Sequence, residues 1–164
     1  VQIREATEDD WPAIHPIFRA VVDAGETYAY PAGLSMEAAR PLWMEPSPGR
    51  TFVAVDGDRV LGSAKTGPNR PGRGSHVATA SFMVDPAAQG RGAGRALGEH
   101  VVAAARADGY RAMQFNAVVE TNTAAVALWR SLGFRVVGTV PEAFEHPEHG
   151  FVGLHVMHLD LRAG

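Results

Sequence analysis

Cysteine is absent from the 164 residues. That excludes a disulfide scaffold, a zinc ribbon, a catalytic thiol and any acyl-cysteine intermediate. Lysine is nearly absent too, since Lys65 is the single lysine among 15 basic residues. With abundant Ala, Gly, Pro and Val, the arginine excess reads as compositional bias rather than as a functional signal. The formal net charge of −3 excludes a nucleic-acid binder that works by bulk positive charge, and leaves room only for a local basic pocket. No apolar run approaches the ~18 residues of a membrane helix. The first residues enter a strand-like alternation, and no secretory leader is expected. The expectation is a soluble, cytoplasmic chain with neither nucleic acid nor membrane as partner.

What is present suits one domain spanning residues 1–164. A chain of this length buries enough apolar surface to fold without metal or disulfide. Residues 2–6 alternate as a strand. Thr7 or Asp9 can cap a helix through Ala24, in which Trp11, Ile14, Ile17, Phe18 and Val21 recur at helical spacing, and Pro16 is placed to kink or restart it. Ser35 caps a second short helix. Thr51–Val55 and Arg59–Lys65 flank Asp56-Gly57-Asp58, a hairpin signal. Gly67–Gly74 reads as a mobile loop. Val77–Val84 is a strand whose Ala78, Ala80, Phe82 and Val84 face the core. Gly92–Ala107 is a helix, Arg111–Val119 a strand, and a helix beginning at Asn122 or Thr123 stops at Gly133. Arg135–Val140 and Phe151–Leu161 close the chain as strands. The order predicts an α/β (α+β) fold with a single mixed sheet covered by helices.

The most informative segment is Asp85-Pro86-Ala87-Ala88-Gln89-Gly90-Arg91-Gly92-Ala93-Gly94-Arg95, between a strand and a helix. Glycines let backbone N–H groups approach a ligand closely. The helix that follows brings about half a positive charge to its N-terminus. Together they form an anion cradle suited to phosphate, with Arg91 and Arg95 adding charge. A dinucleotide fingerprint fails, because the sixth position from Gly90 is Arg95 and from Gly92 is Leu97. A Walker loop fails as well, because Lys65 follows Ala64.

A second motif follows, Asn122-Thr123-Ala124-Ala125-Val126-Ala127-Leu128-Trp129-Arg130-Ser131-Leu132-Gly133-Phe134. With both segments in place, the chain resembles the GNAT superfamily of N-acetyltransferases. Gln89, Gly92 and Gly94 match its Gln/Arg-x-x-Gly-x-Gly/Ala signature. Asn122, Ala124, Ala125, Leu128, Gly133 and Phe134 match its second segment. The resemblance implies a mostly antiparallel sheet of about seven strands with about four helices, its fourth and fifth strands splayed. It implies acetyl-CoA as co-substrate, no metal, and direct transfer to an amine. Phe82, Met83 and Val84 are expected to offer backbone groups to the pantetheine arm. Gln89, Gly90, Arg91, Gly92, Ala93, Gly94 and Arg95 are expected at the pyrophosphate, and Asn122 at the pantetheine. Trp129 stands where many members carry a tyrosine that protonates the leaving thiolate. It reads as core packing, which leaves Tyr28 or Tyr30 as the acid, or no dedicated acid.

Phe115-Asn116 followed by Glu120-Thr121-Asn122 is similar to acetyltransferases that detoxify azetidine-2-carboxylate, which places Asn116 and Asn122 in the active site. The region Tyr28–Trp43 resembles phosphinothricin acetyltransferases, although Val152 stands where those have a histidine. The acceptor class implied is a small, amino-acid-like amine. The alternatives are a protein or peptide N-terminus, or a non-catalytic module that senses acyl-CoA. Glu26 and Glu120 are the candidate general bases, and Tyr28, Tyr30, Thr79 and Ser81 the candidate acceptor-side groups. His146-Pro147-Glu148-His149 has ligand-like spacing, but Pro147 prevents the helix that would align it, so it reads as a solvated or lid loop. A homodimer is the expected assembly.

Overall fold

The computed structural model describes residues 1–162. Ala163 and Gly164, at the end of the expected domain, lie outside the described residues. The chain runs β1 (Gln2–Glu5), α1 (Trp11–Ala24), α2 (Met36–Trp43), β2 (Arg50–Asp56), β3 (Arg59–Pro68), β4 (Val77–Val84), α3 (Ala93–Ala107), β5 (Ala112–Val119), α4 (Thr123–Ser131), β6 (Arg135–His146) and β7 (Gly150–Asp160). Among the described residues the strands form one seven-stranded sheet in the order β1-β2-β3-β4-β5-β7-β6. Every neighbouring pair is antiparallel except β4 with β5.

Helices cover both faces. Leu97 and Val101 of α3 and Trp129 of α4 pack with Phe52, Ala54 and Met113 on one face. Ile14 and Phe18 of α1 and Trp43 of α2 pack with Val53, Val55 and Met83 on the other. The two faces explain why β2 reads as an unbroken apolar run: its alternate residues enter different cores. They also correct the expectation for β4. Ala78 is fully buried on the α3 side, but Met83 is equally a core residue on the α1 side.

Local chemistry sets the boundaries. Thr7, one of the expected caps, is the N-cap of a short 3-10 turn, Glu8–Asp10, in a capping box with Asp10, and Asp10 rather than Asp9 stands at the start of α1. The Asp10 carboxylate accepts the Thr7 N–H at 2.7 Å and both Arg4 guanidinium bonds at 2.8 Å. Those Arg4 bonds hold its pKa down to about 2. Pro16 does not interrupt α1, which continues to Ala24 and ends on Gly25 at φ 69°. The Ser35 hydroxyl caps α2, accepting the Ala38 N–H at 3.1 Å. β3 runs on to Pro68, so the expected loop begins later, and the Asn69 N–H is held by the Val77 carbonyl at 2.7 Å.

β6 is longer than its expected end at Val140. It continues through Pro141 to His146, with an irregular register between Val140 and Phe144. A proline that would break a central strand is tolerated here because β6 is the sheet edge, where a missing N–H costs no ladder bond. The turn after it is tight. His146 Nδ1 accepts the N–H groups of Glu148 and His149 at 3.1 and 3.2 Å, so the His146–His149 segment is an ordered hairpin turn.

Candidate active site

The site begins where the sheet comes apart. β4 and β5 pair only at Val77 with Ala112 and at Ala78 with Met113. Beyond that β5 carries a bulge between Phe115 and Val118, where it spends one more residue than β7 does. A bulge bends its strand away from regular pairing. A cavity of about 600 Å³ fills the wedge, with Phe82 and Val84 on one wall, Phe115 to Val119 on the other, and Gln89, Gly94 and Asn122 at one end.

The peptide groups facing the wedge follow from strand alternation. Asp85 N–H donates to the Leu61 carbonyl of β3, while the His76 carbonyl accepts the Arg111 N–H beside β5. Odd positions of β4 therefore face β3 and even positions face β5. Ala80 and Val84 present their peptide edges to the gap, whereas the Phe82 N–H and carbonyl, expected to serve the pantetheine arm, are both bonded to the Tyr28 hydroxyl. Met83, expected to offer its backbone as well, instead turns it to Ser63 of β3.

The glycine turn closes one end. Gly90 and Gly92 sit at φ 82° and 80°, and a Cβ added at either would meet nothing within 4 Å. Side chains are thus excluded by backbone conformation, and the space above the turn stays open. The first bond of α3 runs from the Ala96 N–H to the Gly92 carbonyl at 3.0 Å. The N–H groups of Ala93, Gly94 and Arg95 precede that bond and are left for a ligand. Arg91 is paired with Asp56, and Arg95 with Glu99 at 3.6 Å and the Ser131 hydroxyl at 2.8 Å. Both arginines rim the cradle while tied to neighbours. The donor set fits a CoA thioester: a peptide edge for an amide-bearing arm, free N–H groups for a pyrophosphate, and an apolar wall.

That wall is aromatic. Phe82 and Trp129 lie with centroids 4.6 Å apart, Trp129 and Phe115 5.0 Å, and Phe115 and Phe134 4.3 Å. Trp129 is 7% exposed and packs on Gly98, as the core reading expects, while its edge also lines the cavity.

On the α1 side the wall is Ala20, Val21, Ala24, Glu26, Thr27 and Tyr28. Glu26 is the sole charged side chain lining this cavity, and it pairs with no cation among the described residues. The Tyr28 hydroxyl accepts the Phe82 N–H and donates to the Phe82 carbonyl, both at 2.8 Å. Burial pushes its pKa up to about 12, against the opposing pull of the Phe82 backbone bond. Tyr30 does not line this cavity. It stacks behind Tyr28 at 5.9 Å and leans on Phe18 at 5.3 Å. Glu120 lies at the end of β5, outside the wall, where its carboxylate accepts the Gly153 N–H at 2.8 Å. Asn122 lines the cavity and caps α4 through the Ala125 N–H at 3.4 Å.

A second cavity, of about 580 Å³, lies against the β3–β4 connection. It shares Thr79, Ala80, Ser81 and Asn116 with the first, so the two spaces meet at that group. The Asn116 amide donates to Asn69 Oδ1 at 2.6 Å and its oxygen accepts from Gln114 at 2.9 Å. Lys65 is tied to Glu45 at 3.4 Å and to the Leu42 carbonyl at 2.7 Å. Arg70 meets no carboxylate among the described residues, and its guanidinium reaches only the Asn69 carbonyl at 3.4 Å. Asn69, Arg70 and Gln114 were not singled out in the sequence. The one available signal was that Asn69 and Arg70 sit in a Gly/Pro-rich connection, which reads as plain loop.

This geometry agrees with comparison to known proteins. The family described as "Acetyltransferase (GNAT) family" matches residues 3–134, and the chain belongs to that family. N-acetyltransferase aca1 of Schizosaccharomyces pombe is 31% identical over 113 residues, or 68% of this chain and 54% of that protein. The chain therefore spans about half the length of that curated relative. A GCN5-related N-acetyltransferase from Kribbella flavida is 65% identical, with a TM-score of 0.94 over 97% of this chain and 96% of that one. The structure of yncA from Salmonella typhimurium with its cofactor acetyl-CoA is 27% identical, with a TM-score of 0.84 over 99% of this chain and 95% of that one.

Proposed function

We propose that the protein transfers the acetyl group of acetyl-CoA directly to the amine of a small, amino-acid-like molecule. The observation that carries this reading is the meeting of two cavities at Thr79, Ala80, Ser81 and Asn116. One has the peptide edge and the anion cradle suited to the donor. The other has the Arg70 guanidinium and the Asn69–Asn116 pair, polar groups that suit the carboxylate and flanking atoms of a compact acceptor.

When bound, acetyl-CoA supplies an activated acyl carbon and a thiol leaving group. Ala93, Gly94 and Arg95 N–H groups hold its pyrophosphate, and Val84 and Asn122 its amide-bearing arm. Glu26 is the general base, because no other carboxylate lines the first cavity. Glu120 has a structural task instead, tying the end of β5 to β7. The aromatic wall keeps water from the thioester. Proximity and orientation then do most of the work. The protein acts in the cytoplasm as a homodimer; exposed Val137, Val140 and Phe151 on the edge hairpin β6–β7 support an assembly surface there.

The test is thiol release from acetyl-CoA with panels of amino acids and cyclic imino acids, polyamines, aminoglycosides and peptides bearing free N-termini. Stoichiometric thiol and acetylated product with amino-acid-like amines is the expected result. Turnover of peptides alone overturns the acceptor class. Acetyl-CoA binding with turnover of nothing in the panels favours a sensing module.

A further inference from the structure

Tyr28 arrives at β4 from the irregular segment between α1 and α2, 54 residues away in sequence from Phe82. Its oxygen sits on the Phe82 N–H at 2.8 Å, so no ligand atom reaches that N–H directly while the phenol is in place. The ring is held from behind by Tyr30, itself backed by Phe18. These contacts position the ring, and the hydroxyl donates to the Phe82 carbonyl. A hydroxyl proton rotates to suit its acceptors. Turned toward the cavity, it completes a chain from the Phe82 N–H through the Tyr28 oxygen to an acceptor in the wedge. Bonds in such a chain polarise one another.

We propose that Tyr28, backed by the Phe82 N–H, donates the hydrogen bond that stabilises charge on the reacting carbonyl oxygen. This rests on the transfer reading above. In the step served, the amine nitrogen bonds to the carbonyl carbon and the carbon–sulfur bond breaks. The sulfur leaves with the electron pair, and the proton lost by the amine goes to Glu26. Charge grows on the carbonyl oxygen as the nitrogen adds and is returned as the sulfur departs. Tyr28 keeps its proton throughout. Burial assures that, because a phenol held at about 12 stays neutral at any assay pH. Passing its proton to a thiolate with an ordinary thiol pKa near 8.5 is unfavourable by ~10³-fold. Tyr28 is thus a poor acid for the leaving group and a good neutral donor, the property an oxyanion site needs.

The experiment is Tyr28→Phe, which keeps the ring and removes the hydroxyl. Affinities for CoA and acetyl-CoA are measured by calorimetry, and kcat and KM with the best amine of the panel from pH 6 to 10. CoA, which has no thioester carbonyl, is expected to bind within about twofold of wild type. Acetyl-CoA is expected to weaken by ~2–10-fold, the size of one neutral hydrogen bond. kcat is expected to fall by ~10²-fold or more, with the pH profile unchanged in shape. Parallel weakening of CoA and acetyl-CoA overturns the proposal in favour of packing. Tighter acetyl-CoA binding overturns it in favour of a plug over the Phe82 N–H. A lost alkaline limb overturns it in favour of proton transfer.

A comparison on the wild-type protein needs no variant. S-ethyl-CoA lacks the carbonyl and is expected to bind ~2–10-fold more weakly than acetyl-CoA; equal affinity refutes the contact. If the wild type turns over no amine, the transfer reading fails, while this comparison still judges the hydrogen bond.

Discussion

Alanine at Gly92 separates two roles that glycine combines in the anion cradle. Gly92 is at φ 80°, and a Cβ there would meet nothing within 4 Å. The substitution brings backbone strain without a clash inside the protein. A non-glycine residue forced into a left-handed conformation costs about 1–2 kcal/mol. For a chain this long, that is a drop in Tm of roughly 2–8 °C. The same Cβ stands in the open space over the cradle, where an anion must approach the first N–H groups of α3. Losing one charge-assisted bond there costs about 1.5–3 kcal/mol, or ~10–100-fold in affinity for CoA. Gly109 provides the control. It lies just past the other end of α3, at φ 88°, and its added Cβ also meets nothing. Fifteen helical residues separate the two ends, so Gly109 is ~22 Å from the cradle. Differential scanning fluorimetry and calorimetry with CoA on both variants complete the test. Gly92→Ala and Gly109→Ala should lose similar stability, and only Gly92→Ala should lose CoA affinity. Equal CoA binding by the two would refute the placement of the pyrophosphate on this turn.

Glu26→Gln should lower kcat by ~10²-fold or more while leaving the affinity for CoA intact, as initial rates and calorimetry would register. Asp10→Asn should cost about 1 kcal/mol at neutral pH in urea melts. The folded carboxyl titrates at about 2, below its unfolded value, so its contribution is present above pH ~4 and is lost as pH falls through about 2. The shift alone suggests about 2.5 kcal/mol, but Arg4 is 46% exposed and solvent screening reduces it. The gap between variant and wild type should therefore narrow with acid. Gly98→Val should destabilise by about 1–3 kcal/mol, since its Cβ alone would lie 2.9 Å from Leu132 Cδ1 and 3.0 Å from Trp129 Cζ3.

Much of this architecture is legible in the sequence because it is local. The helical spacing of Trp11, Ile14 and Phe18, the hairpin glycine at 57, and the glycines at 90, 92 and 94 each act within a few residues. The same holds for Asn122 at the start of α4. What escaped is long-range or depends on position in the sheet. Nothing near Tyr28 announces that its hydroxyl meets a peptide 54 residues on. The pairing of Arg91 with Asp56 requires the β2–β3 turn to stand beside the glycine turn, a fact of tertiary structure. Pro141 reads as a strand end until β6 is known to be an edge. Glu26 and Glu120 read alike in the sequence, and only the fold puts Glu26 on the wall of the wedge and Glu120 on the Gly153 N–H.

The bulge in β5 has a consequence for how this cleft is written in the gene. β5 opens from β4 while carrying one residue more than its partner β7 between Phe115 and Val118. That feature is a count, not a chemistry: no single side chain encodes it, and a library of substitutions would pass over it. Insertions and deletions are the alphabet in which it is spelled. Removing one codon at Asn116 or Ala117 offers the strand a regular ladder and a shorter route alongside β4. The cleft between them is one codon away from being a seam.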